Sequence, residues 1–525
     1  MKVVEFLVFL SIVLVGVVVG RDQCRFASLY TQNQLYNDPT AQQSFINNVL
    51  YWEGNFHQHL VGINAESAYT YDGHTLDYAT GELHSPLHTF SAPSKESIHL
   101  GMMANALTGK TSTGFDASIF FHQSVDNSSS SDPFDNVITT LTRKITTYEN
   151  FNKQFPGYGG FMPWVSVNNT GIYPLPGYWS ERVPGLDNGE MIWGMYAVIQ
   201  ALKAYSDQAA LLQRYQAYLD LLTQNAKTIF YTNPGWINAV THIDNIYAQP
   251  TPSNYQNDCN CFLDDPYEGE MLTVYMDLYC QWDNITERDQ LWINKRALLQ
   301  SVEFQSPEGN ITVQRGWWFS SHEQWKYLML PYRDIDINRR VFENGERART
   351  YFSNMNQYPG LFASVNNVTQ PNTYDPNYDG ATGIQEIAFE SIQTNDVFTP
   401  YGSYPLFLVQ DVGMSLGLAW YYNMISAPAM QNQYGSTESG SNQGDLICPL
   451  LTWDSKITTV LAMMGGAVDL NRNGLTVDNK INRFYQVIER EWTLAFPVLN
   501  GENIDFQLPP VSVPKVLNDF TTCSN

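Results

Sequence analysis

Apolar residues recur at helical spacing over most of this chain. The pattern covers Gly189–Tyr205, Ala209–Ile229, Glu270–Tyr279, Asp289–Val302, Asp411–Tyr422, Asp454–Met464 and Lys480–Trp492. Residues at i, i+3, i+4 and i+7 fall on one face of a helix, so such segments must bury that face against other helices. Alternating strand patterns are few and short, with Ala239–Ile243 as the one example. Long loops rich in Gly, Pro, Tyr, Trp and Asp separate the helices, notably Gln154–Asn188 and Thr251–Gly269. The helix openings echo one another. Asp187-Asn-Gly-Glu-Met-Ile-Trp-Gly-Met195 resembles Tyr267-Glu-Gly-Glu-Met-Leu-Thr-Val-Tyr-Met276, and Asp411 and Asp454 open later helices in the same way. Each acid taken alone is accounted for by capping and the helix dipole. As a set they predict an all-α chain with minor β, arranged as an (α/α)6 barrel. In that toroid of helix pairs, the loops at one end of the inner helices form the mouth of a pocket.

Residues 1–20 read as a secretory leader: Lys2 precedes an apolar run from Phe6 to Val19, and Gly20 follows. The run is shorter than the roughly 20 residues that span a bilayer, and no later stretch is apolar enough to do so. Residues 21–525 contain no linker and are expected to form a single catalytic domain, secreted and monomeric. The sequons at Asn127, Asn168, Asn284, Asn310 and Asn367 are expected to carry glycans. Six cysteines, Cys24, Cys259, Cys261, Cys280, Cys448 and Cys523, fit disulfides in an oxidising compartment, with Cys24 and Cys523 placed to tie the two ends. No Cys or His follows Cys259-x-Cys261 at zinc spacing, and His57-x-His59 lacks an accompanying ligand set, so no metal is expected. The formal net charge of −24 excludes nucleic acid and disfavours a polyanionic sugar. The 32 Tyr and 13 Trp, many of them in polar loops, suit stacking on the C–H faces of a neutral polysaccharide.

Hydrolysis of a glycosidic bond needs one carboxyl to protonate the leaving oxygen and another to activate water or attack the anomeric carbon. The acid needs a raised pKa, supplied by burial; the base suits a helix N-terminus. The densest acidic and aromatic stretch is Phe262–Met271, with Asp264, Asp265, Glu268 and Glu270. Glu270 opens an apolar helix and is assigned as the general acid, with Glu268 as a sugar-hydroxyl acceptor or the alternative acid. Asp454, after Trp453, is assigned as the base, and Asp445 is the alternative. Asp187, Glu190, Trp317, His322 and Glu323 are assigned to substrate binding, the last three within an aromatic cluster that would form a sugar subsite or a buried core helix. Ser/His/Asp hydrolysis, nucleotide binding and dinucleotide binding have no motif here.

Several longer segments carry a family resemblance. WWFSSHEQWKYLMLPY, GERARTYFSNMNQYPGLFASV and TPYGSYPLFL, in that order, resemble glycoside hydrolase family 144, the bacterial glycoamylase-like β-1,2-glucan hydrolases. YEGEM and TWDS, with the leader and the chain length, are more similar to the eukaryotic endo-β-1,2-glucanases of family 162. The resemblance spans about residues 40–495. It implies the barrel, anomeric inversion, short β-1,2-linked gluco-oligosaccharide products such as sophorose, and no cofactor. It also implies a Glu of YEGEM as acid and a late Asp as base, with water activated through a substrate hydroxyl. Two other readings stay open: a barrel hydrolase or transglycosylase acting on another neutral β-glucan, and a non-catalytic glucan-binding glycoprotein.

Overall fold

The structure is a computed structural model that describes residues 23–109, 111–125 and 132–523. The expected leader and the sequon at Asn127 lie outside the described residues. Fourteen α-helices follow one another among the described residues: α1 (Gln32–Asn37), α2 (Pro39–Gly54), α3 (Pro93–Thr108), α4 (Pro133–Gln154), α5 (Gly185–Leu202), α6 (Ala209–Phe230), α7 (Glu270–Tyr279), α8 (Ile285–Leu298), α9 (Lys326–Met329), α10 (Asp336–Met355), α11 (Gly413–Ile425), α12 (Trp453–Met463), α13 (Val468–Val477) and α14 (Ile481–Ala495). The fold is mostly helical, with short strands gathered into eight small sheets of two or three strands.

Two kinds of helix are present. Helices α4, α6, α10 and α14 are amphipathic and bury one stripe, though only α6 and α14 fall among the segments read from the sequence. Helices α3, α5, α7 and α12 are buried on nearly every side. Glycines let these inner helices approach one another. A Cβ at Gly194 of α5 would lie 2.5 Å from the Ser97 carbonyl oxygen of α3, and one at Gly189 would lie 2.8 Å from Leu272 of α7. A Cβ at Gly101 of α3 would meet Leu461 of α12 at 3.2 Å. The first two contacts, at Gly194 and Gly189, are closer than any real Cβ allows and involve backbone, so the helix spacing there selects glycine; the third is a tight fit against a leucine methyl.

The small sheets fasten the loops at the site end. The strand Gly73–Leu76 pairs antiparallel with Leu83–His88 on one side and Leu450–Thr452 on the other. This pairing sets Asp72 beside the start of α12, where the Trp453 amide donates to the Asp72 carbonyl at 3.3 Å. Phe90–Ser91 pairs with Val165–Asn168, which continues into a hairpin with Gly171–Pro174. Arg182–Pro184 pairs with Val240–Ile243, the one strand that alternation in the sequence marks.

Two expectations are corrected. The helix expected to run to Val302 ends at Leu298, and Ser301–Ser306 forms a hairpin with Gly309–Gln314, because cross-strand pairing wins where the helical stripe runs out. The six cysteines are not all paired: Cys24 joins Cys523, Cys259 joins Cys261, and Cys280 and Cys448 are free thiols. Among the described residues no helix is long and apolar enough to cross a membrane, and no group of three or more His, Cys, Asp or Glu is placed to hold a metal ion.

Candidate active site

The N-terminal ends of the inner helices converge on one acidic cluster. Helix α3 brings Lys95; α5 brings Asp187 and Glu190; the loop entering α7 brings Glu268; α12 brings Asp454. The turns Ser321–Gln324 and Pro400–Leu408 add His322 and Tyr401.

Asp454 lies at the solvent-reached edge, its side chain 28% exposed, and its Oδ2 accepts from Lys95 Nζ at 2.8 Å. Its Oδ1 has no hydrogen-bond partner. Lys95 is itself buried and shared, with its Nζ 3.0 Å from Asp72 Oδ1, while Asp72 Oδ2 lies 3.2 Å from His88 Nδ1. Burial disfavours the lysine's charge, yet the two carboxylates outweigh it and raise its pKa. Burial also opposes the Asp72 charge, but Lys95 and His88 hold its carboxyl below the usual range.

Glu268 has the opposite surroundings. It is 4% exposed, and its Oε2 has no partner. Its Oε1 lies 3.6 Å from His322 Nε2, beyond a normal hydrogen bond. Burial, with Glu190, Asp265, Glu323 and Asp187 nearby, pushes its pKa well above the carboxylate range. His322 is neutral there: burial pushes its pKa down to about 4. Trp325 Nε1 donates to the Tyr401 hydroxyl oxygen at 2.6 Å, which leaves the phenol proton for His322 Nδ1 at 2.9 Å and sets the imidazole proton on Nε2, facing Glu268. Tyr401 and Tyr378 each face both Asp454 and Glu268, and Tyr378 is 57% exposed, so it reaches the mouth.

Asp187 and Glu190 line the same cluster. Burial raises Asp187 to about 6 despite a 2.9 Å hydrogen bond from Trp164 Nε1. Burial raises Glu190 still further, helped by Asp187 and Asp454, and its Oε2 is unpartnered. The Trp164 ring stacks against Trp179 at 5.5 Å and Phe90 at 6.2 Å, and Phe90 stacks in turn on His88 at 6.0 Å. An aromatic wall thus runs from the Asp72–His88 pair outward along one side.

Three residues assigned from the sequence lie in different surroundings. Glu270 is 2% exposed, its Oε1 accepts from the Tyr332 hydroxyl at 3.0 Å, and its Oε2 lies 3.5 Å from Lys326 Nζ. Lys326 is enclosed by Trp492 and Tyr332, so Glu270 belongs to a buried ion pair behind the pocket wall. The residues two apart diverge because Glu268 precedes the helix while Glu270 is its first residue, and Asp265 fixes that entry by accepting from the Tyr267 and Gly269 amides. Glu323 caps its own turn, accepting from the Trp317 amide at 2.6 Å and the Ser320 amide at 2.8 Å, and so holds half-buried Trp317 in place. Asp445 is exposed in a loop, bonded to Ser441 Oγ at 2.7 Å, remote from Lys95. Lys95, Asp72, Trp164, Tyr378 and Tyr401 were not found from sequence. Lys95 and Asp72 sit in segments with no helical stripe and no repeated acidic opening; the paired strands bring Asp72 to α12, and the packing of α3 on α12 brings Lys95 there.

The grooves on the outer surface lack this chemistry. One of about 270 Å³, lined by Arg143, Asn150, Asn169 and Tyr173 among others, contains a single carboxylate, Glu66.

The sequence model of the family described as endo-β-1,2-glucanase SGL, glycoside hydrolase family 162, matches residues 69–524. The chain belongs to this family. The endo-β-1,2-glucanase from Talaromyces funiculosus, solved with sophorose, is 42% identical, with a TM-score of 0.89 over 96% of this chain and 100% of that one. A Glu-to-Gln mutant of the same Talaromyces enzyme, solved with β-1,2-glucan, is 41% identical with a TM-score of 0.89 over the same shares of the two chains. The endo-β-1,2-glucanase from Chitinophaga pinensis, solved with sophorotriose and glucose, shares the fold at 12% identity and a TM-score of 0.55, over 86% of this chain and 97% of that one. No curated protein matches the chain.

Proposed function

We propose that this family 162 chain is a secreted endo-β-1,2-glucanase that inverts the anomeric centre, with Glu268 as general acid and Asp454 as base. One observation carries the reading: the pocket holds two carboxyls in opposite environments. Glu268 is buried, unpartnered and proton-holding; Asp454 is partly exposed and bonded to an ammonium. Acid and base roles separate where surroundings push two carboxyls apart. The sequence assigned the acid to Glu270, but both Glu270 oxygens face donors, the setting of an acceptor. Glu268, the alternative acid in that reading, has the free oxygen and the raised pKa. Asp187, Glu190 and His322 line the pocket as hydroxyl partners, and the Trp164–Trp179 wall and Tyr378 offer ring faces. The N-terminal ends of the inner helices α3, α5, α7 and α12 meet at the cluster, as the loops at one end of an (α/α)6 toroid would. Two disulfides and a leader-like N-terminal segment support secretion, and residues 21–525 are read as one domain.

Protonation by Glu268 would release the leaving sugar while Asp454 draws a proton from water, directly or through a sugar hydroxyl. The test is hydrolysis of linear β-1,2-glucan beside β-1,3- and β-1,4-glucans, with the products sized and their anomers read by NMR. Short β-1,2 oligosaccharides released first as the α-anomer are expected. Initial β-anomer would reject inversion, and cleavage of another linkage alone would reject the substrate.

A further inference from the structure

The sequence and the family point to acids, yet the group most tightly built into the site is a cation. Lys95 is 4% exposed and its ammonium touches Asp454 Oδ2 at 2.8 Å and Asp72 Oδ1 at 3.0 Å, with the Trp164 ring 5.9 Å away. Trp164 spends its N–H on Asp187, so one lysine and one indole link the carboxylates of α12 and α5. Asp72 is anchored in turn: its amide donates to the carbonyls of His88 and Phe90, its carbonyl accepts from the Trp453 amide, and its Oδ2 meets His88. The ammonium occupies Oδ2 of Asp454 and leaves Oδ1 without a partner.

We propose that Lys95, locked by Asp72 and His88, is a positioning residue that holds Asp454 Oδ2 and so orients the carboxylate, keeping its buried Oδ1 free of protein partners for the reacting group. This rests on the reading of Asp454 as base. The ammonium acts through charge and through orientation. An opposite charge within about 4–6 Å stabilises a carboxylate, commonly by 1–3 pH units of its titration. The remaining groups facing this pair are Asp187 and Glu190 from α5, Glu268 from the loop before α7, His322, Tyr401 and Tyr378; the carboxyls among them oppose a further negative charge, which leaves Lys95 to offset them.

The pH profile of kcat/KM on β-1,2-glucan tests this in Lys95→Met and Asp72→Asn. Lys95→Met should move the acid limb upward and lower kcat. Asp72→Asn leaves the ammonium serving Asp454 without its competitor, so the limb should move downward. Purely structural roles would lower both rates without moving the limbs in opposite directions. An unmoved limb in Lys95→Met, or limbs moving the same way in both variants, overturns the proposal. A limb that vanishes in Asp187→Asn would assign it to Asp187 and overturn it as well. Where Lys95→Met does not fold, Asp72→Asn decides alone: a limb that rises or stays put is the overturning result. Asp454→Asn keeps the two questions apart, since undiminished turnover there would reject Asp454 as base whatever Lys95 does.

Discussion

Glu268 and Glu270 are two residues apart, and exchanging each for Gln should separate turnover from stability. Glu268→Gln keeps shape but removes the proton that the leaving oxygen needs. General acid help is commonly worth about 10²–10⁴-fold, so kcat on β-1,2-glucan should fall by that factor. Thermal stability should hold or rise at neutral pH, because a carboxyl that burial keeps protonated when folded, and that ionises on unfolding, is replaced by a neutral amide. Glu270→Gln acts the other way. It leaves Lys326, fully enclosed with its Nζ 3.5 Å from Glu270 Oε2, facing an uncharged amide. Breaking a buried pair by removing one partner costs about 3–5 kcal/mol. The value belongs at the lower end here, since the Pro266 carbonyl, 3.3 Å away, and the Trp492 ring still face the ammonium. The melting temperature should therefore fall by several degrees, while kcat stays within a few-fold at a temperature where the variant is folded. Calorimetry and initial-rate assays on the same preparations give both numbers. A Glu270→Gln enzyme that melts like the parent and has lost turnover, beside an active Glu268→Gln, would refute the assignment and return the acid role to Glu270.

Asp187 titrates near 6 when folded against 3.8 ordinarily, so its contribution to stability is fully present below about 3.8 and is lost as pH rises through about 6. Asp187→Asn should flatten the stability profile across that window, as followed by thermal melts. Unreduced, denatured protein should show two reactive thiols, Cys280 and Cys448, by thiol titration, and reduction of the Cys24–Cys523 link should lower stability by about 2–5 kcal/mol. Glycopeptide mass spectrometry of protein from a secretory host should find sugar at Asn168, Asn284 or Asn310, which are exposed, and none at Asn367. The Asn367 amide donates to Asp379 at 2.6 Å and its sequon Thr369 is buried, so the acceptor nitrogen is already engaged. Sugar on Asn367 would contradict that geometry.

The helical class, the acidic helix openings and the identity of α5, α7 and α12 were legible in the chain, because each carries a long apolar segment behind a carboxylate, and carboxylates favour helix starts. Asp187, Glu190, Glu268 and Asp454 were named from the acidic helix openings and His322 from the Trp-rich segment after Gly316, and all five lie in one cluster. Helix α3 was not legible: the polar residues Lys95, Glu96, Ser97, His99 and Asn105, all buried in the fold, interrupt its apolar run. With it went Lys95, whose partners Asp72 and Asp454 stand 23 and 359 positions away in the chain and are brought to it by strand pairing at Gly73–Leu76 and by the packing of α3 on α12. The choice between Glu268 and Glu270 was equally beyond the sequence. Both are glutamates beside Gly269; which one keeps a free oxygen depends on where Tyr332, Lys326 and His322 arrive from distant segments. Local chemistry is written in neighbouring residues, whereas charge state is set by whatever the fold brings alongside.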